Sequence, residues 1–399
     1  MNRIFFTISI FIIGIVFLFV FLFDKTPTAY KKFQDSNNNY FSLCATCPPG
    51  FKLTKENKCE NVNLYMQYDS PNNKGLGGLK IGLPEVRDGF SPQQMDLGRY
   101  LFFDPILSSD NKISCASCHN PELGFSDGKA KSEGMNGAVL ERSAPSLWNV
   151  AYLKRLFWDA RANSLEEQMQ GPLFSPHEMA STSEEILKKL NLSKEYRQLF
   201  REAFGTKNEK DSIQMNEVFT AITAFETSLI SLNSRYDQYA HGFANALNEK
   251  EIEGMNIFRS FVARCAECHT PPLFSNQQIA VIGSPEPNAD FFDEGAQETF
   301  NDATMRGGFK VPSLRNIEKT APYMHSGHFK TLKEAIAFYT KGRGHAVPKG
   351  ENLYLHWHIW EPQLSDEEVE RIHDFLKTLT DETFMPEIPK KVPSGLPIS

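Results

Sequence analysis

The chain has 399 residues, 41% hydrophobic and 23% charged, with 25 Gly and 23 Pro, which excludes collagen, long coiled coil and wholly disordered polypeptides. Its 42 basic and 49 acidic residues give a formal charge of −7 with no basic run, so a nucleic-acid binder is excluded on electrostatic grounds. Seven cysteines are too few for a disulfide scaffold at this length, and the length allows about two or three domains.

Residues 4–23 form an uncharged apolar stretch that spans about 30 Å as a helix, the thickness of a bilayer core. With Arg3 before it, the expectation is one transmembrane helix that anchors the chain on the periplasmic side of the inner membrane. A signal removed near Pro27-Thr28-Ala29, releasing the chain to the periplasm, is the alternative. Residues 24–84 read as a linker, rich in turn residues such as Ser70-Pro-Asn-Asn73. Within it, Cys44, Cys47 and Cys59 suggest one disulfide and one cysteine left over, while the CxxC spacing also fits zinc or redox chemistry. No His follows Cys47.

Ser91-Pro-Gln-Gln94 is a capping box with Pro at the first helical position, and Met95, Leu97, Leu101 and Phe102 follow as a partly helical apolar pattern. Next comes Cys115-Ala-Ser-Cys118-His119. A helix over about 216–231 carries Val218, Phe219, Ile222, Phe225 and Leu229 on one side. Asn248 and Glu251 cap a helix with Ile252, Met255, Phe258 and Val262, and Cys265-Ala-Glu-Cys268-His269 follows. The last helix, 366–379, has Ser365 and Glu368 as its capping box and Val369, Ile372, Leu376 and Leu379 as its buried stripe.

In each CxxCH motif two thiols can add across the haem vinyl groups, and the adjacent His can ligate iron. A zinc site built from both CxxC pairs would leave each following His unexplained. The two haem motifs sit in similar frames, which suggests an internal repeat. The fold expectation is mainly α: two cytochrome c-like helical haem domains with long loops, residues 85–240 and 241–385, preceded by the transmembrane helix and followed by a tail, 386–399.

Over residues 85 to 382 the sequence resembles the bacterial di-haem cytochrome c peroxidases, and within them the MauG-like branch. The resemblance is carried by Leu101-Phe-Phe-Asp-Pro-Ile-Leu-Ser108, both CxxCH motifs, Phe157-Trp-Asp-Ala-Arg161, Leu165-Glu-Glu-Gln168 and Glu178-Met179. Phe309-Lys-Val-Pro-Ser-Leu-Arg-Asn316, Thr320-Ala-Pro-Tyr-Met-His-Ser-Gly327 and Thr331-Leu-Lys-Glu-Ala335 extend it. It implies two haem c groups, attached at Cys115 and Cys118 and at Cys265 and Cys268. The N-terminal one is the peroxide site, with His119 as its proximal ligand. Glu178 would be the acid–base group, with Gln168 beside the bound peroxide, and His177 a solvated neighbour. Trp158 would be the aromatic relay between the haems.

Other members carry a His after a Ser-x-Gly that can take the second axial position of the first haem. Here the matching residues are Ser132-Glu-Gly-Met135, and no His lies between His119 and His177. The expectation is an open first haem, with Met135 as the alternative ligand. The second haem would use His269 and, as in MauG-like members, a tyrosine, Tyr339. A phenolate is a harder ligand than a thioether and favours oxidised iron; Met324 is the competitor. The resemblance also implies a calcium ion between the domains, where Thr320 and Pro322 match and Ser143 replaces the usual Asn.

These features imply an oxidoreductase that reduces hydrogen peroxide with electrons from a small cytochrome c or cupredoxin. The alternative is a MauG-like enzyme that uses the peroxide-generated oxidised di-haem state to modify residues of a partner protein. A pure electron carrier would require a second strong ligand at the first haem.

Overall fold

Two helix pairs, each crossing at a glycine, carry the architecture. The computed structural model describes residues 41–63, 65, 83–205, 212–287, 291–340, 347, 350–357, 359 and 362–398. In chain order the elements used below are β1 (Phe51–Leu53), β2 (Cys59–Asn61), α1 (Pro92–Phe103), α2 (Cys115–Cys118), α3 (Leu165–Gln168) and α4 (Gln170–Phe174). They continue with α5 (Ser183–Leu192), α6 (Lys194–Phe204), α7 (Met215–Thr227), α8 (Arg235–Ala240), α9 (Glu249–Arg259) and α10 (Cys265–Cys268). The last are β3 (Ile279–Val281), β4 (Gly308–Lys310), α11 (Leu332–Thr340) and α12 (Asp366–Lys377). β1 pairs antiparallel with β2, and β3 with β4, each over three residues.

The capping boxes at Ser91/Gln94, Asn248/Glu251 and Ser365/Glu368 all form and start α1, α9 and α12. Each leaves two end amides satisfied by side chains, which fixes where the helix begins. α1 packs on α7, where a Cβ at Gly98 would lie 1.8 Å from the Ala221 carbonyl oxygen. α9 packs on α12 in the same way, with Gly254 meeting the Arg371 carbonyl at 1.8 Å. The aromatic residues repeat as well: Phe102 lies 5.0 Å from Phe225, and Phe258 lies 5.3 Å from Phe375. Each pair builds its own core, one holding Leu97, Leu101, Phe102, Ile222 and Phe225, the other Met255, Phe258, Ile336, Ile372 and Phe375. Burying such side chains contributes about 1.5–3 kcal/mol each.

Four expectations change. The transmembrane helix over residues 4–23 lies outside the described residues, as do Pro27-Thr28-Ala29 and residues 70–78 of the linker. Among the described residues no helix is long and apolar enough to cross a membrane, so the fold assignment is corrected to a mainly helical architecture whose described part holds no membrane-spanning helix. The sequence 41–63 docks rather than dangles: Cys47 and Cys59 form the disulfide, Cys59 is fully buried with Met95 and Ala224, and the Cys44 amide donates to Asp96 Oδ2 at 2.9 Å. Val262 is exposed, because α9 ends at Arg259 and the extended Ser260 turns the chain. The tail docks too, with Val392 in the first core and the Ser394 hydroxyl donating to buried Asp104 at 2.7 Å.

Gly98→Ala, and equally Gly254→Ala, forces two helices apart at a backbone contact. Each is expected to lower the unfolding free energy by at least about 1–3 kcal/mol, measured by denaturant titration; an unchanged midpoint would contradict the close crossing.

Candidate functional site

Each CxxCH forms a single helical turn closed by its own histidine, whose amide donates to the first cysteine carbonyl at 2.9 Å in both sites. The chain then bends back so that His119 Nδ1 meets the Phe125 carbonyl at 2.9 Å and His269 Nδ1 meets the Phe274 carbonyl at 3.1 Å. Both phenylalanines have positive φ, 59° and 53°, a rare conformation for an aromatic residue that turns the carbonyl toward the ring. A carbonyl can only accept, so Nδ1 carries the hydrogen and the Nε2 lone pair stays available to a metal. Burial lowers the pKa of both imidazoles, opposed by the backbone carbonyls, and keeps them neutral.

Cys115, Cys118, Cys265 and Cys268 form no disulfide. Burial pushes the Cys118 thiol up to about 11 and the Cys265 thiol to about 12. Zinc needs thiolates, and among the described residues no cysteine belongs to a cluster able to hold a metal ion. Paired neutral thiols beside an imidazole with a free Nε2 fit a covalently attached haem at both sites.

A second repeated segment frames each site. Ala144-Pro-Ser-Leu-Trp-Asn149 and Val311-Pro-Ser-Leu-Arg-Asn316 place Pro145 and Pro312 carbonyls near His119 and His269. Asn149 and Asn316 both adopt left-handed φ, and their amides donate to the Leu229 and Leu379 carbonyls. Their side chains converge on Ser231: Asn149 Nδ2 donates to its carbonyl at 3.0 Å and Asn316 Nδ2 to its hydroxyl at 2.7 Å. In the second half, buried Arg315 forks onto Asp237 at 2.6 and 2.7 Å and donates to the Pro272 carbonyl, fixing the turn after His269.

On the first site, Gln168 closes α3 and Glu178 sits on the turn after α4. His177 is exposed and Glu178 half-buried. Burial raises the Glu178 carboxyl, against smaller opposing effects of Ser175, Arg161 and His177. Its charge is among the smaller influences that raise the Cys118 thiol, after burial and Asp127. The Met135 amide donates to the His177 and Glu178 carbonyls at 3.1 Å each, tying the loop that lacks a histidine to the Glu178 turn.

At the second site, Tyr339 near the end of α11 is close enough for Cys268 and Cys265 to act on it. Burial pushes its phenol far above the ordinary value, so a cation against the oxygen is needed to make it a phenolate. Met324, at φ 73°, has its carbonyl engaged by the Ser143 hydroxyl at 3.0 Å.

Trp158 lies on the seam between the halves. Its Nε1 donates to the Ser143 carbonyl at 2.9 Å, its carbonyl accepts from the Lys310 amide at 2.7 Å, and its ring stands edge-on to His325. The Ser143 amide donates to the His325 carbonyl, and the Thr320 hydroxyl to the Ile317 carbonyl. Arg142 bridges the seam, gripping Asp293 through two bonds and Asp159 through a third. Sequence reasoning missed this network, the Phe125 and Phe274 carbonyls, and a buried acid on α7, Glu226. The recurrence of Pro-Ser-Leu-x-Asn was the signal for the frames.

A family model described as di-haem cytochrome c peroxidase matches residues 92–245. The chain is 35% identical over 309 residues to cytochrome c551 peroxidase of Nitrosomonas europaea, a match covering 77% of this chain and 84% of that protein. It is 33% identical over 302 residues to the methylamine utilization protein MauG of Methylorubrum extorquens, covering 75% and 82%. Among solved structures it is similar to a MauG-like protein associated with microbial copper homeostasis, with TM-score 0.70, 31% identity and coverage of 78% and 97%. The diheme peroxidase BthA of Burkholderia thailandensis follows at TM-score 0.63 and 27% identity, with coverage of 78% and 91%.

Substituting Cys115 and Cys118 together by Ala is expected to remove one of two covalent haems while the other stays attached, read from the haem-to-protein ratio of the purified protein. Retention of both would contradict the assignment of that site.

Proposed function

The chain belongs to the di-haem cytochrome c peroxidase family and is an oxidoreductase acting on peroxide with haem c as cofactor; from that premise we propose how its residues divide the work. The N-terminal haem domain, 85–240, receives hydrogen peroxide, and the C-terminal domain, 241–385, passes in electrons from a small cytochrome c or cupredoxin. The haem, when bound, supplies an iron that takes the peroxide and exchanges electrons with it. His119 holds that iron through Nε2, with the ring fixed by Phe125.

Glu178 is the acid–base group. Its burial within electrostatic reach of Cys118 is the observation that carries this reading, because a carboxyl raised by burial holds and returns a proton more readily than an ordinary glutamate. It takes the proton from one peroxide oxygen and delivers it to the leaving oxygen, while Gln168 orients the bound molecule. Trp158, bonded to both halves, relays electrons across the seam. His269 and Tyr339 hold the second iron.

A second reading has a specific observation behind it. Tyr339 lies at the second CxxCH, and no histidine stands in the loop pinned to Glu178. A phenolate ligand and an open first haem suit an enzyme that stores oxidising equivalents and withdraws electrons from a partner protein. The Cys47–Cys59 disulfide supports an exported, oxidising location, the periplasm.

Glu178→Gln is expected to slow peroxide consumption by about 10²–10⁴-fold; near-normal turnover rejects the role. In the wild type the rate should fall as pH drops through a value above the ordinary glutamate range, since only the carboxylate accepts a proton. That limb should vanish in the variant. Tyr339→Phe should change the spectrum of the second haem and leave peroxide binding at the first intact; an unchanged spectrum rejects the axial tyrosine.

A further inference from the structure

The two halves of the fold act as controls for each other. Ala221 and Arg371 present their carbonyls to the crossing glycines, Phe225 and Phe375 present their Cβ atoms there, and Leu229 and Leu379 accept from the framing asparagines. This register puts Glu226 of α7 where α12 carries Leu376. Leu376 is an ordinary core residue. The repeat therefore packs with an apolar side chain at this position, yet the first half buries a carboxyl there, 5% exposed.

Glu226 Oε2 has no hydrogen-bond partner among the described residues, and Thr223, one turn earlier and fully buried, brings its hydroxyl to Glu166. Residues three apart share a helix face. Beyond them stands Glu166 of α3, next to Thr223 and paired with Arg87 at the half-exposed surface. Toward the interior, the charge of Glu226 acts on the Cys115 sulfur. The carboxyl thus stands between the attachment point of the first haem and a surface ion pair. An orphaned buried polar atom in such a line is where internal water sits.

An isolated carboxylate buried in this way is costly, and Glu226 is pushed up to about 8 by burial first and the nearby Glu166 second. The groups packed around it add no cation. α7 packs on α1, whose residues at the crossing, Gly98, Phe102 and Phe103, carry no charge, while Glu166 of α3 and the Cys115 thiol of α2 are the titratable groups in electrostatic reach of Glu226.

We propose that Glu226 is a proton-loading group for the first haem, exchanging its proton with solvent by way of Thr223 and Glu166. On one-electron oxidation at the first haem site by an external acceptor, the Glu226 O–H bond would break and the proton would leave through Glu166 to water. When the donor returns the electron, one proton comes back and the bond re-forms. Each electron is matched by one proton, so the buried region keeps its charge. No other bond forms or breaks. The proposal rests on the reading that Cys115 carries a haem, which the haem-to-protein ratio checks separately.

The test is a redox titration of the first haem at a series of pH values spanning 8, in the holoenzyme, in Glu226→Gln and in Glu226→Leu, with redox-difference infrared spectra at each end. In the wild type the potential should fall with rising pH, approaching about 59 mV per pH unit, the one-electron equivalent of a tenfold change in proton activity. The carbonyl stretch of a protonated carboxyl should disappear on oxidation. Both signals should be lost in Glu226→Gln, which keeps the shape but cannot titrate, and in Glu226→Leu, which copies the second half. A slope and a carboxyl band that persist in Glu226→Gln would overturn the proposal, as would a wild type that shows neither. Should Glu226→Leu fail to fold, Glu226→Gln decides alone. A protein lacking the first haem would overturn the haem reading and the proposal together.

Discussion

The hydrogen bond from each histidine Nδ1 to the carbonyl of a phenylalanine held at positive φ is the constraint on which the sites depend. It decides the tautomer, aims Nε2 away from the backbone, and requires a tight bend five or six residues after each CxxCH. The surroundings pay for that bend. Phe125 and Phe274 are fully buried, and their rings close the two cores against Phe102 and Phe258. The same residue therefore gives up favourable backbone geometry, regains it through burial, and orients a ligand.

The repeat also shows where the halves have diverged. Trp148 packs on Phe125, whereas its counterpart Arg315 lies over Phe274 and is neutralised by Asp237. A buried ion pair gives little net stability, but leaving either partner alone is costly. The first site has instead a half-buried Glu178, a loop without histidine and a buried acid on α7.

Much of this was legible in the sequence, for physical reasons. CxxCH carries its chemistry in contiguous residues, and capping boxes declare helix starts because two side chains must answer two amides. The helix ends were less legible: Val262 continues the apolar spacing of α9, but the chain has already turned at Ser260. α5 and α6 went unread, although Thr182 and Glu185 form a capping box of the same kind. The three-residue strands are too short to show a period. The carbonyls of Phe125 and Phe274 act through the backbone, which any residue supplies, so no side-chain pattern marks them. Glu226 looks like one polar residue at the edge of an apolar stripe until the second half shows a leucine in its place.

On the second reading proposed above, the first haem would have one face open to peroxide and be coupled across Trp158 to a tyrosine-ligated second haem. Hydrogen peroxide added to the fully ferric holoenzyme without donor, with both haems followed by optical and electron paramagnetic resonance spectroscopy, tests it most directly. The account predicts rapid loss of both ferric signals into one long-lived oxidised state. No reaction until one haem has been reduced would contradict it, and would mean that a ligand such as Met135 closes the first site.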